Sequence, residues 1–179
     1  HPFEGKELSE SKPVQVLMPK GDMVYPMSQH IGAPATPLVK KGDQVLVGQK
    51  IGEASGFISA NVICSVSGTV KAVEMRRVAS GAMVNSIVVT NDGEYNTVEG
   101  LGADRDPSTL SKQDIRTIVK EAGIVGLGGA GFPTNVKLSP KDENAIDYIL
   151  LNGAECEPYL TSDYRLMMEA PEQVIGGLK

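Results

Sequence analysis

The sequence predicts a mixed fold, all-β over residues 1–103 and α/β over residues 104–179. Three observations carry that prediction. Val62, Cys64, Val66, Val70 and Ala72 alternate with Ser65, Ser67, Thr69 and Lys71, the period-two pattern of a half-buried strand. Short apolar runs sit between turn residues, Val45 to Val47 between Gly42-Asp43 and Gly48, and Ile87 to Val89 before Asn91-Asp92-Gly93. Past residue 105 the pattern changes to helix caps around a glycine-rich loop.

Composition fits that division. Hydrophobic residues are 41% of 179, enough for a core, while aromatics are 4% and Trp is absent, so the core must be aliphatic. The 20 glycines and 11 prolines suit short strands and many turns. Net charge is −5 with no basic stripe, which argues against nucleic acid as a partner. No apolar run approaches the roughly 20 residues that span a bilayer, and the N-terminus has no apolar signal-peptide core. The chain is expected to be soluble as given and able to dock on a membrane protein. Cys64 and Cys156 read as reduced thiols, and two cysteines cannot hold a cubane cluster, which needs four thiolates.

Gly68 interrupts the alternating run and suggests a bulge or a close backbone approach. The stretch Val39 to Gly52, K-G-D-x-V-x-x-G-Q in outline, is followed by Ser67-Gly68-Thr69-Val70. Together they resemble the barrel-sandwich hybrid of lipoyl and biotinyl carrier domains. In those domains a lysine at a hairpin tip carries the cofactor. The corresponding stretch Glu53 to Asn61 has no lysine, so the resemblance implies the sheet without the carrier chemistry, in a structural or docking role.

Residues 100–107 are Gly/Asp/Pro-rich and read as a linker. Ser111 and Asp114 then have capping-box spacing, and Leu110 and Ile115 have staple spacing. Ile115, Ile118, Val119 and Ala122 form one apolar helical face, and Gly123 is placed to end the helix. An earlier start, with Asp106 as cap and Pro107 at the first position, fits equally.

The glycine loop follows, Gly123 to Thr134, with five glycines in nine residues. Such a run cannot be a stable helix or strand, and it lets backbone N–H groups approach a ligand. Gly126, Gly128 and Gly131 match G-x-G-x-x-G, with Gly129 between them. A helix and not a strand precedes the loop, which departs from the dinucleotide fingerprint. A phosphate cradle and a plain flexible loop are both open on this pattern. Pro133 suits the start of a short helix over 134–138, which places Lys137 about one turn in.

Ile146 to Leu151 is a short apolar run that reads as a buried strand of a parallel sheet. Asn152, Glu155 and Glu157 sit at its carboxyl end, where α/β sheets bind ligands. They offer groups for ribose hydroxyls or a flavin N–H, and the alternative is a solvated acidic turn. A Glu-Cys-Glu metal site lacks histidine support, so no metal site is assigned. Cys156 has no visible partner base and reads as structural; His1 and His30 read as non-catalytic. Thr161-Ser162-Asp163 is placed to cap a helix whose Met167 and Met168 pack inward, and Pro171 opens one more helix. Its apolar face should continue past Lys179, so the α/β segment reads as the truncated start of a longer domain.

The loop G-L-G-G-A-G-F-P-T-N-V-K-L (126–138), the turn L-N-G-A-E-C-E-P-Y-L-T-S-D-Y-R-L-M (151–167) and the opening H-P-F-E-G-K-E-L (1–8) together resemble the C subunits of Rnf-type NADH:ferredoxin oxidoreductases over nearly the whole chain. They are more distantly similar to the flavoprotein subunit of respiratory complex I. The resemblance implies that Gly126, Gly128, Gly129, Gly131 and Lys137 hold FMN, with Asn152, Glu155 and Glu157 completing that side of the FMN and NADH site. No residue is given a catalytic role. Ala154 stands where the complex I relatives have Asp, so a flavin-facing carboxylate is missing, and Leu127 replaces their arginine. The resemblance further implies hydride transfer from NADH to FMN and then electron passage through two [4Fe–4S] clusters, whose ligands this chain lacks. It implies ion translocation, ferredoxin as an indirect partner, and docking on other Rnf subunits at the cytoplasmic side of the bacterial cell membrane. The chain alone is expected not to turn over. A non-catalytic docking scaffold and a related flavin and iron–sulfur cobalamin reductase are the alternatives.

Overall fold

The structure is a computed structural model and describes residues 3–179. His1 and Pro2 lie outside the described residues. The chain divides into two compact units, residues 19–140 and residues 1–18 with 141–179.

The first unit is built from two antiparallel sheets. Strands β1 (Asp22–Pro26), β7 (Met83–Asn91), β6 (Gly68–Arg77) and β3 (Gln44–Val45) form one, in that order. Strands β2 (Thr36–Pro37), β4 (Lys50–Glu53) and β5 (Val62–Ile63) form the other. Tyr25, Val45, Ile51, Val62, Val70, Ile87 and Val89, contributed by both sheets, share one core, which is aliphatic apart from Tyr25. Ile87, Val88 and Val89 are wholly buried, because β7 lies between two neighbours and is covered on both faces.

The alternating run at 62–72 is two strands and not one. Its first part, β5, belongs to the three-stranded sheet and its second, β6, to the four-stranded sheet. Cys64 and Val66 are buried where the chain crosses between them. Gly68 makes the crossing possible. Its φ is +152°, and a Cβ there would collide with the Thr90 carbonyl oxygen. The register then slips between Val70 and Ala72, so the alternation ends in a bulge. The run at 45–47 is likewise shortened: β3 stops at Val45, and Val47 makes an isolated bridge with Thr97.

Helix α1 (Lys112–Glu121) has the predicted capping box. The Ser111 hydroxyl accepts from the Asp114 amide at 3.1 Å, and the Ser111 amide donates to Asp114 Oδ2 at 2.9 Å. Asp thus completes a box that usually takes Glu or Gln. The earlier start exists separately, as a 3₁₀ turn over Pro107–Thr109 capped by Asp106. Gly123, at φ +65°, ends α1 in a Schellman motif, donating to Lys120 O while Ile124 N donates to Val119 O. A single turn, α2 (Thr134–Lys137), follows Pro133.

In the second unit, α3 (Ser162–Glu169) and α4 (Pro171–Leu178) follow one another, Pro171 opening the latter as predicted. The opening segment straps onto α3. Tyr159 N donates to Glu4 O at 2.7 Å, Lys6 Nζ to Leu160 O at 3.0 Å and Arg165 Nη1 to Glu10 O at 3.0 Å. The strand expected at 146–151 is absent. Tyr148, Ile149, Leu150 and Leu151 are 55–88% exposed, because among the described residues no strand pairs with the run. Met168 is exposed and not packed inward, while Met167 is half-buried against Gly153.

Gly68→Ala should cost about 1 kcal/mol of stability or more, read as a lower urea midpoint, since the native φ and the Thr90 carbonyl both oppose a side chain; an unchanged midpoint would show that the crossing adapts. The Ser67 hydroxyl and the Glu94 amide hold the Asp92 carboxyl below the usual carboxylate range, and Lys71 and Thr90 do the same for Asp22. Their contribution is present above the unfolded value of about pH 3.9 and is lost as pH falls through the lower folded values. Urea midpoints taken from about pH 5 down to about pH 2 should therefore fall, and fall less in Asp92→Asn.

Candidate functional site

The loop is closed at its base by backbone pairing. Gly126 N donates to Phe132 O at 2.9 Å, Thr134 N donates to Ile124 O at 3.0 Å, and Val125 bridges Pro133. Within that frame the structure brings Gly126, Gly128, Gly129, Gly131 and Lys137 into one loop-and-turn. Lys137 folds back over the loop: its Nζ lies 2.5 Å from where a Cβ on Gly126 would sit. Gly129 faces open space, with nothing within 4 Å of a Cβ position. Leu127, at 92% exposed, also projects outward.

The far end of the loop is seated on the β strands' connections. Gly131 has φ +64°, and a Cβ there would lie 2.8 Å from Gln29 O and 3.0 Å from His30 Cα. Ile31 N donates to Ala130 O at 3.0 Å. The stem is seated too: Asn61 Nδ2 donates to Lys120 O at 3.2 Å, which occupies one of the last carbonyls of α1. Lys50 pairs with Glu121 at 2.9 Å beside it. Gln29, His30 and Asn61 carry no motif, and only their spatial neighbours reveal them. A cavity of about 320 Å³ lined by Gln29, His30, Asn61, Ser65, Gly123 and Val125 opens at the stem, and none of the five predicted loop residues lines it.

The chemistry of the loop suits a phosphoester. It offers an ammonium beside side-chain-free backbone, an arrangement that suits an anion. The Gly126 amide donates to Phe132 O.

The turn residues belong to the other compact unit. Asn152 Oδ1 accepts from Ala154 N at 3.0 Å, an Asx turn. Glu155 Oε1 accepts from Asp163 N at 2.9 Å and Tyr164 N at 3.1 Å, so Glu155 caps α3. The Thr161 side chain makes no cap and donates instead to Ser9 Oγ at 2.9 Å. The residue predicted as a ligand group thus takes the cap predicted for Thr161, because a carboxylate satisfies two orphan amides where a hydroxyl satisfies one. Glu157 and Cys156 are exposed. His30 is buried, with Nε2 at 3.1 Å from Ala33 O and 3.2 Å from Ser59 Oγ, a satisfied structural histidine. Among the described residues no cluster of His, Cys, Asp and Glu is placed to hold a metal ion. Nor is any helix among them long and apolar enough to cross a membrane.

The family model described as the RnfC barrel sandwich hybrid domain matches residues 1–94. The chain belongs to the RnfC family. The model described as the Nuo51 FMN-binding domain matches residues 119–179, which include the loop and the turn. Among known relatives, the C subunit of the Na(+)-translocating ferredoxin:NAD(+) oxidoreductase complex of Acetobacterium woodii is 47% identical, over all of this chain and 40% of its own length. The C subunit of the proton-translocating ferredoxin:NAD(+) oxidoreductase complex of Clostridium ljungdahlii is 41% identical, over all of this chain and 39% of its own. The C subunit of the ion-translocating oxidoreductase complex of Rhodobacter capsulatus is 41% identical, over 99% of this chain and 34% of its own. The chain therefore spans well under half the length of these relatives.

Removing the cap tests the role assigned to Glu155. Glu155→Ala should cost roughly 1 kcal/mol of helix stability and expose the amides of Asp163 and Tyr164 to faster hydrogen exchange; exchange unchanged at both would reject the cap.

Proposed function

We propose that the chain is the electron-input part of the C subunit of an ion-translocating ferredoxin:NAD oxidoreductase complex, and that its glycine loop with Lys137 holds the phosphate of FMN. The observation that carries this is the Lys137 ammonium lying against Gly126. A Cβ at position 126 would displace that ammonium, so glycine there and the lysine's pose support each other. The open face at Gly129 lets backbone approach a planar ring without interference from a side chain. Lys137 would neutralise phosphate charge, and Asn152 and Glu157 would offer polar groups to the ribityl or ribose hydroxyls. Glu155 would act at one remove, by holding the turn against α3. FMN bound in the complete protein supplies the step between hydride from NADH and single electrons for [4Fe–4S] clusters and, indirectly, ferredoxin.

In this reading residues 1–103 are the barrel-sandwich domain, and residues 104–179 belong to an α/β flavin domain. The relatives named as subunits of translocating complexes support docking on other subunits; the proposed place of the chain is peripheral, at the cytoplasmic side of the membrane. The engaged Gly126 amide favours a second reading, in which the loop is structural and the chain a docking scaffold.

Flavin titration separates the two. Quenching of FMN fluorescence by the full-length protein should saturate, be lost in Gly129→Glu and weaken by about tenfold in Lys137→Ala, the loss of one charge-assisted hydrogen bond. A wild-type protein that leaves flavin fluorescence unchanged would favour the scaffold.

A further inference from the structure

We propose that the β domain clamps the glycine loop at both ends, and that His30 and Asn61 are the positioning residues of the clamp. The inference rests on the reading that this loop holds flavin, and adds what fixes its shape.

Both ends of the loop are left-handed glycines, Gly123 at φ +65° and Gly131 at φ +64°. Both lie flush on the β domain. A Cβ on Gly123 would collide with Asn61 O, and one on Gly131 would meet Gln29 O at 2.8 Å. Each contact is reinforced by a hydrogen bond. Asn61 Nδ2 holds the last turn of α1 through Lys120 O, and Ile31 N holds the loop through Ala130 O.

The residues behind these contacts form one hydrogen-bonded piece. Asn61 Oδ1 accepts from Ala54 N at 2.9 Å, fixing the amide that reaches α1. His30 Nε2 lies 3.1 Å from Ala33 O, to which it donates in the tautomer that carries the proton there. The same Nε2 lies 3.2 Å from Ser59 Oγ, which donates to Ala33 O at 2.8 Å and accepts from Ser55 N at 3.1 Å. His30, Ser59 and Asn61 are each at most 7% exposed. Satisfied buried polar networks specify one arrangement, since any other strands a group without its partner. Segments 29–33 and 54–61 are thereby locked together, and each grips one end of the loop. The second segment lies between β4 and β5, where carrier domains present their cofactor lysine; here it grips a neighbouring loop.

The test uses the full-length protein with His30→Ala, Asn61→Ala and the conservative His30→Gln, whose amide reaches the position of Nε2. Hydrogen exchange without flavin reads the clamp at the amides of Ile31, Gly126 and Thr134. FMN titration reads its consequence. His30→Ala and Asn61→Ala should speed exchange at those amides by about tenfold and raise the FMN Kd by about tenfold, the worth of one hydrogen bond. His30→Gln should restore both. Protection at Ile87, Val88 and Val89 should stay as in wild type, a readout that general destabilisation would move. If the alanine variants do not fold, Gly131→Ala tests the same contact with the β side chains intact. Loop exchange unchanged in every folded variant overturns the clamp. A wild-type protein that binds no FMN overturns only the flavin reading, because the exchange arm needs no ligand.

Discussion

The approach of the Gly123 backbone to the Asn61 carbonyl leaves no room for a Cβ, and the arrangement of the 19–140 unit depends on it. That contact ends α1 and starts the glycine loop at one residue. It also brings the last carbonyls of α1 within reach of the Asn61 amide. None of the helices α1 to α4 has a fully buried residue, so apolar burial alone does not hold α1 in place. Directional contacts substitute for it: a side-chain amide on a helix terminus, the Lys50–Glu121 pair and the Arg116 guanidinium on Leu138 O. Such contacts fix geometry more than they add stability, which suits a loop whose shape matters more than its depth of burial.

Local features are legible in the sequence to the extent that neighbours along the chain determine them. Ser111 with Asp114 and Gly123 at the helix end involve residues a turn apart, and both form as the pattern predicts. So do the aliphatic core and the turns around Gly42, Gly48 and Gly93, each of these glycines having φ above +70°. The misreadings share a cause. Period-two alternation at 62–72 puts Val62, Cys64, Val66 and Val70 inside, where they are, but it puts Ser67 outside, and Ser67 is buried where the chain changes sheets. Thr161 has the composition of a cap, yet a carboxylate six positions earlier reaches the same amides. His30 is inert when read by itself, and its connection to the loop emerges only when segments about a hundred residues apart are seen together.

The run Ile146 to Leu151 shows the limit of pattern from the other side. Its composition is that of a parallel strand, and its exposure is that of a strand without neighbours. A strand supplies only half of each ladder bond, so its sequence states a capacity that other segments must fulfil. A helix satisfies its own backbone, which is why α3 and α4 form beside this run although their apolar residues are also exposed.

The β domain illustrates how a sheet can be kept while its chemistry changes. A carrier hairpin must present its tip, which requires an exposed side chain on a segment free of other partners. Here the corresponding segment 54–61 has Ser59 and Asn61 buried, its Ile58 carbonyl and Ser59 hydroxyl bond Ala33, and its Asn61 side chain bonds α1. The segment is pinned through Ala54, Ser55, Ser59 and Asn61, while its tip from Ser55 to Ile58 stays exposed. The segment 53–61 thus lacks a carrier lysine and carries this network at its base instead. The hairpin that presents a cofactor lysine in a carrier domain has here become one side of a loop bed, its buried polar residues directed at the neighbouring loop and at α1.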